Sequence, residues 1–203
     1  MLDLTEAMLR QRACRRYLDD PVDDAVILEM LDLACHAPSS ENLQPWRFVV
    51  VRDADRRAAL AELMRQLWEA GGRKYAQRTL DTSLFDDVDD GFRGGGLASA
   101  PVMIVVAGDT SVVPRPQLPA SVFPAIQNLL LAATAHGLGS CLTTIATFRA
   151  DDVRALVGFP ETIDPLAIVP VGYPARALGR SRRAPAASKT FLDDYHQPWT
   201  DQA

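Results

Sequence analysis

Side chains able to do chemistry are concentrated in two short stretches. In Gln11–Tyr17, QRACRRY, Arg12, Arg15 and Arg16 place three cations close together. Arginine keeps its charge at any ordinary pH and grips phosphate or carboxylate oxygens with paired N–H bonds. Such a cluster serves an anionic ligand or stands as a solvated basic turn. In Ala34–Val51, ACHAPSSENLQPWRFVVV, the side chains of Ser39, Ser40, Asn42 and Gln44 sit just before an apolar strand. They either bond their own backbone in a turn or cradle a ligand, and residue type leaves both open. The chain has no G-x-S-x-G elbow, no Cys paired with a nearby His, since the side chains of the adjacent Cys35 and His36 diverge on a helix, no zinc-ligand spacing and no phosphate loop, since no Lys-Ser or Lys-Thr follows Gly94, Gly95 and Gly96. No G-x-G-x-x-G follows a strand. A reaction here would be carried by a bound cofactor, with the protein supplying binding, orientation and electrostatics.

The elements that must position these stretches follow from the apolar spacing. Asp3 and Glu6 offer a capping box for a first helix to about Arg12, with Leu4, Ala7, Met8 and Leu9 facing inward. Pro21, Asp23 and Asp24 open a second helix whose stripe is Val26, Ile27, Met30, Leu31 and Ala34, and Pro38 stops it. Trp46–Val51 is aromatic and β-branched, a strand with little solvent contact. A third helix runs from about 53 to 68 on Leu60, Leu63, Met64 and Leu67, ended by Gly71 and Gly72. Residues 73–96 read as short helices joined by loops, where a lid could lie. Pro101–Ala107 is a buried strand, and 108–119, with three prolines, is irregular surface. The most apolar helix follows, with Pro124 near its first turn and Gly137 or Gly139 beyond its end. Apolar nearly all round, it is expected to be central and partly covered by a second subunit, with Gln127 and Asn128 finding partners there. Cys141–Ile145 and Ala167–Val171 read as further strands, and Ala150–Val157 as a helix closed by Gly158.

APSSENLQPWRFVVV closely resembles the APS-x-x-N-x-QPW-x-F-V-V segment of the nitroreductase family. RACRRY resembles that family's RRSVRxF opening, and IVPVGYP followed by RRAP resembles its PVGYP and basic tail. The matching segments lie in the family's order from about Gln11 to Arg183 and are weakest between about Met64 and Gly96. The resemblance implies an α+β fold with a central mixed or antiparallel sheet flanked by helices, in an intertwined homodimer. It implies an FMN enzyme that takes hydride from NADH or NADPH and reduces nitro-aromatics, quinones or similar conjugated acceptors. It also implies roles. Arg12 and Arg183 would hold the FMN phosphate, and Arg15 would lie near the flavin N1 and O2 edge. Pro38, Ser39, Ser40 and Asn42 would reach the flavin from the other subunit, and Thr143 and Thr144 would lie beside its N5, the register open by one residue. The chain departs from the pattern at Gln11, where many members carry Arg, and at Ala13, where they carry Ser; Arg16 or Arg182 could replace the lost cation. No Glu, Tyr and Lys set like that of the dehalogenating relatives stands out in 73–96, and Ala13 lacks the acidic residue of the flavin-fragmenting ones.

A chain of 203 residues can bury one substantial core, so a single domain over 1–203 is expected, with 174–203 an extension that wraps the partner subunit. The extension is rich in Arg, Ala and Pro and ends in Phe191, Leu192, Tyr195 and Trp199, four large apolar residues that suggest docking. A net charge of −5 argues against a nucleic-acid partner. Three scattered cysteines form no disulfide framework, and His36, His136 and His196 read as structural. The N-terminus lacks a basic start before an apolar run, and no run approaches membrane-spanning length, so the cytoplasm is expected. The rival readings are a same-fold flavin enzyme with dehalogenating or flavin-degrading chemistry, a non-catalytic flavin-binding protein, and a helical module that binds a protein through Leu129–Leu131.

Overall fold

The computed structural model describes residues 2–199. Four strands, β1 (Trp46–Val51), β2 (Val102–Asp109), β3 (Gly139–Ser140) and β4 (Ile163–Gly172), form one sheet in the order β1-β2-β4-β3, and every pairing is antiparallel. A parallel contact enters through a single bridge, Ala13 to Ser140. All of β2 is buried, as its unbroken apolar run predicts. One face of the sheet, with Val102, Ile104 and Val106, packs on α2 (Asp24–Cys35) and α6 (Leu118–Ala135). The other face, with Met103 and Val105, packs on α3 (Ala54–Leu67) and α7 (Ala150–Val157). Antiparallel sheets often leave one face wet. Here helices cover both, so the open sites lie at the sheet edges.

Several expected boundaries move. Gly71 and Gly72 do not end the third helix: a π-turn, Trp68–Gly72, carries it on into α4 (Arg73–Thr79). Gly72 is there for space, since a Cβ would fall 2.9 Å from the Trp68 ring. Two residues later α5 (Thr82–Arg93) begins, capped by Asp81, so the poorly legible stretch is largely helical. Pro124 lies inside α6 and not in its first turn, because the helix starts earlier, with Pro119 in the first turn. With the 3₁₀ turn before it, α6 is long and apolar enough to cross a membrane by length and composition, more than the sequence suggested; in this fold it is the central core helix. Residues 141–145 make no strand beyond a bridge from Thr143 to Ile168, and Ile145 opens a 3₁₀ turn. β1 is an edge strand and only partly buried.

α1 (Leu4–Arg10) is capped by Asp3, whose carboxylate accepts from the Glu6 N–H at 2.8 Å. Of its expected inner residues only Ala7 is buried, while Leu4 and Met8 are 64% and 55% exposed. In the single chain α1 packs on α6 by its Ala7 side and leaves the rest open. After β4 the chain turns back along the N-terminal arm: Leu18 N–H bonds the Tyr173 carbonyl, Ala175 N–H that of Arg16, and Ser181 N–H that of Leu9. At its end the Phe191 and Tyr195 rings pack against each other, tilted by 33° with centroids 4.3 Å apart, and all four large apolar residues there remain exposed on this chain.

The through-running helix can be tested at Gly71, where a Cβ would meet nothing within 4 Å. Gly71→Ala is expected to raise stability by about 0.5–1 kcal/mol in urea unfolding. A glycine that terminated the helix in a left-handed conformation would make the same change destabilising.

Candidate functional site

The arginine stretch is extended and clamped to the edge of the sheet. Cys14 N–H donates to the Ser140 carbonyl at 2.9 Å, and the buried Tyr17 hydroxyl donates to the carbonyls of Cys14, at 2.5 Å, and Pro170, at 3.2 Å. The contact is close enough to require Gly139, where a Cβ would lie 2.6 Å from Cys14 Sγ, and Gly96, where it would lie 2.1 Å from the Arg15 carbonyl oxygen. Gly96 is therefore a packing residue as well as part of a turn. With Cys14 and Tyr17 held inward, the arginines point away from the core. Arg15, 18% exposed, donates to Asp87 at 2.7 Å, and Arg16 pairs with Asp90 at 2.5 Å. Arg12 is exposed and makes no ion pair among the described residues.

Arg15 forms one wall of a cavity of about 300 Å³, with Thr143 and Thr144 on another and Trp68, Tyr75, Phe92 and Phe148 among its apolar lining. Among the described residues it is the only charged side chain in that lining. Trp68 and Phe92 stack at 4.8 Å, and Trp68 Nε1–H is anchored by Asp89 at 2.8 Å. Burial pushes the Asp89 carboxyl up, but bonds from Trp68 and Arg73 outweigh it and hold the group below its ordinary value. Phe148, 84% exposed, stands at the rim. Thr143 and Thr144 differ in availability. Thr143 is buried, and its hydroxyl is bound to the Ile168 carbonyl at 2.8 Å. Thr144 is exposed, and its hydroxyl has no partner among the described residues. Cys141 also lines the cavity, but burial raises its thiol to about 11, which leaves it protonated and unreactive at neutral pH.

The loop after Pro38 lies elsewhere. Glu41, Asn42 and Gln44 adopt positive φ of 45°, 58° and 50°, a conformation that non-glycine residues rarely hold without external reason. Ser39 Oγ accepts from Gln44 N–H at 3.0 Å, and Ser40 N–H donates to Ser121 Oγ at 3.1 Å. The loop feeds β1 at the Trp46 end, opposite Gly108, whereas Ser140 and the arginine arm stand level with Val171 and Val102. Three strand spacings across and six residues along separate the two, about 25 Å. Within one chain, the two groups of predicted residues occupy opposite corners of the sheet. Arg183 is exposed and, among the described residues, bonds only the Arg182 carbonyl. The Ser181–Leu9 contact nevertheless sets Arg182 and Arg183 beside the end of α1, which leads directly into Arg12.

A larger cleft of about 600 Å³ contains Arg115, Arg149 and Arg154, but these pair with Asp152, Asp151 and Asp164 and leave no free cation there among the described residues. No group of three or more His, Cys, Asp or Glu among the described residues could hold a metal. Sequence reasoning missed Asp87 and the aromatic lining from α4 and α5. The spacing of Phe85, Val88 and Phe92 on one helical face was the available signal.

The cavity brings together a guanidinium, a hydroxyl without a partner among the described residues and aromatic walls, groups suited to holding a planar ligand. Residues 8–173 match the Nitroreductase family, and the chain belongs to that family. It is 32% identical over 199 residues to an NADH dehydrogenase of Thermus thermophilus, covering 91% of this chain and 93% of that protein. It is 31% identical over 170 residues to an iodotyrosine deiodinase of Thermotoga neapolitana, covering 81% and 85%. A crystal structure of oxidized iodotyrosine deiodinase bound to FMN and 3-iodo-L-tyrosine matches with a TM-score of 0.73 at 26% identity, over 95% of this chain and 98% of that one.

The three free cysteines report on this geometry, since Cys35 is exposed while Cys14 and Cys141 are buried. Iodoacetamide at pH 8 is expected to label Cys35 alone in the native protein and all three after unfolding, as read by mass spectrometry. Native labelling of Cys141 would contradict a closed cavity wall.

Proposed function

We propose that the protein is an FMN-dependent oxidoreductase that takes hydride from NADH or NADPH and reduces nitro-aromatics, quinones or similar conjugated acceptors. Bound FMN supplies the two-electron chemistry in both half-reactions. The chain's part is to hold and polarise it. Arg12 and Arg183 bind the phosphate, and Arg16 or Arg182 makes good the cation missing at Gln11. Arg15 stabilises negative charge on the N1 and O2 edge, where a fixed cation raises the reduction potential. Of the two threonines, Thr144 has the hydroxyl free to bond at N5, while Thr143 holds the segment to β4. Ala13 contributes backbone at the bridge to Ser140.

The observation that carries this reading is the separation of the two binding groups. Pro38, Ser39, Ser40 and Asn42 lie too far from Arg15 for one flavin ring to touch both in a single chain. In a homodimer with flavin at the interface, the loop of one subunit completes the cavity of the other, which also gives the strained backbone at Glu41, Asn42 and Gln44 a purpose. The open apolar surface supports the dimer. An apolar groove of about 360 Å³ between α1, α2 and α6 is lined by Leu4, Leu33 and Leu131, of which Leu4 and Leu33 are exposed, and Phe191, Tyr195 and Trp199 of the extension are exposed as well. The extension would reach the partner there. Unpaired cysteines suit a reducing compartment, which supports a cytoplasmic location for the enzyme.

The deiodinase relatives favour a second reading, reductive dehalogenation at the same site. An aryl amino acid carries an ammonium and a carboxylate, and this chain's part of the lining offers it Arg15, already paired with Asp87.

After reconstitution with FMN and desalting, anaerobic NADH or NADPH is expected to bleach the flavin bands, and a quinone or nitro-aromatic to restore them. Flavin that neither nucleotide reduces, or that only a halogenated phenol reoxidises, would overturn the assignment. Arg12→Ala should weaken FMN binding roughly ten- to a hundredfold, the worth of a charge-assisted phosphate contact. Unchanged flavin retention by that variant would remove Arg12 from the site.

A further inference from the structure

We propose that Asp87 is a positioning residue that sets the reduction potential of the bound flavin by governing the orientation and effective charge of Arg15. The inference rests on the flavin reading above. Two features of α5, four residues apart and so on one helical face, are fitted to that arginine. Asp87 Oδ2 accepts from Arg15 Nη1 at 2.7 Å, and Gly91 leaves a slot for the arginine stem, where a Cβ would come 3.0 Å from Arg15 Cδ. The carboxylate is shared: its other oxygen, Oδ1, accepts from Arg176 in the C-terminal extension. Arg15 and Asp87 are largely covered, with side chains 18% and 28% exposed, whereas Arg176 is 70% exposed. The inner pair is therefore screened less by water and salt than an ordinary surface ion pair.

This arrangement makes the charge presented to the cavity adjustable. Arg15 is the only charged side chain that the described residues bring to the cavity lining. Asp87 partly cancels it from behind, and Arg176, by drawing on the same carboxylate, partly gives it back. Two-electron reduction places negative charge on the flavin ring, so a less compensated Arg15 favours the reduced form and a more compensated one the oxidised form. The two neighbours of Arg15 therefore act with opposite sign.

The test is the midpoint potential of the FMN-loaded protein, measured spectroelectrochemically in wild type, Asp87→Asn, Arg176→Gln and Asp86→Asn. Asp87→Asn should raise the ratio of reduced- to oxidised-flavin affinity roughly tenfold, a positive shift of about 30 mV for a two-electron couple. Arg176→Gln should shift the potential the other way and by less, roughly twofold in the same ratio, because its charge is solvated. Asp86→Asn makes the same formal change one residue away, at an exposed side chain with no ion pair among the described residues, and should leave the potential where it is. A merely structural role for Asp87 would not produce shifts of opposite sign from its removal and from that of Arg176. An unmoved potential in Asp87→Asn, or a shift of the same sign in both variants, overturns the proposal while leaving the flavin assignment intact. Wild-type protein that retains no flavin overturns both.

Discussion

The arginine arm is placed by a backbone contact, the bond from Cys14 N–H to the Ser140 carbonyl, and much of the site depends on it. That bond joins the N-terminal arm to the short edge strand. Cys14 and Tyr17 are then fixed inward, so Arg12, Arg15 and Arg16 are turned outward. Burial reinforces the arrangement chemically. The Tyr17 hydroxyl and Cys14 thiol are both pushed above their ordinary values, chiefly by desolvation, so the staple stays neutral beside three cations. Gly139 and Gly96 permit the approach from either side, and the extension after β4 closes over it from the front. Removing any of these pieces would unseat the arginines without touching them.

The covered sheet explains where the site is. With α2 and α6 on one face and α3 and α7 on the other, β2 has no exposed residue. Ligands are left the sheet edges and corners. One edge carries Arg15 and the threonines under α5, and the opposite edge carries the strained loop before β1. On the proposed dimeric reading, the two corners are halves of one site completed by a second copy, and the exposed Leu4 and Met8 of α1 are free to meet it.

Much of this was legible in the sequence because local chemistry decided it. Trp46–Val51 and Ala150–Val157 fall where their residues predict, and Asp3, Asp23 and Pro38 mark helix ends by capping and sterics. The second of the two threonines could be singled out only once Thr143 was seen bound to Ile168. The π-turn at Trp68–Gly72 was hidden because two glycines ordinarily end a helix, whereas here tertiary packing on Trp68 and Ile145 keeps the chain helical. Asp87 was hidden for a different reason. An aspartate in an acidic helix reads as a solvated face, and its significance comes from Arg15, 72 positions away in the chain.

The measurement that most directly tests a flavin site shared between subunits is complementation. Subunits carrying Arg12→Ala, defective in the phosphate-binding corner, would be unfolded and refolded together with subunits carrying Asn42→Glu, defective in the loop. If each site takes its arginines from one subunit and its loop from the other, every mixed dimer holds one intact site and one doubly altered site. About a quarter of all sites should then regain FMN and its reduction by NAD(P)H. If every site is built within one chain, no mixture will retain more flavin than the two variants do separately, and the shared-site reading is wrong.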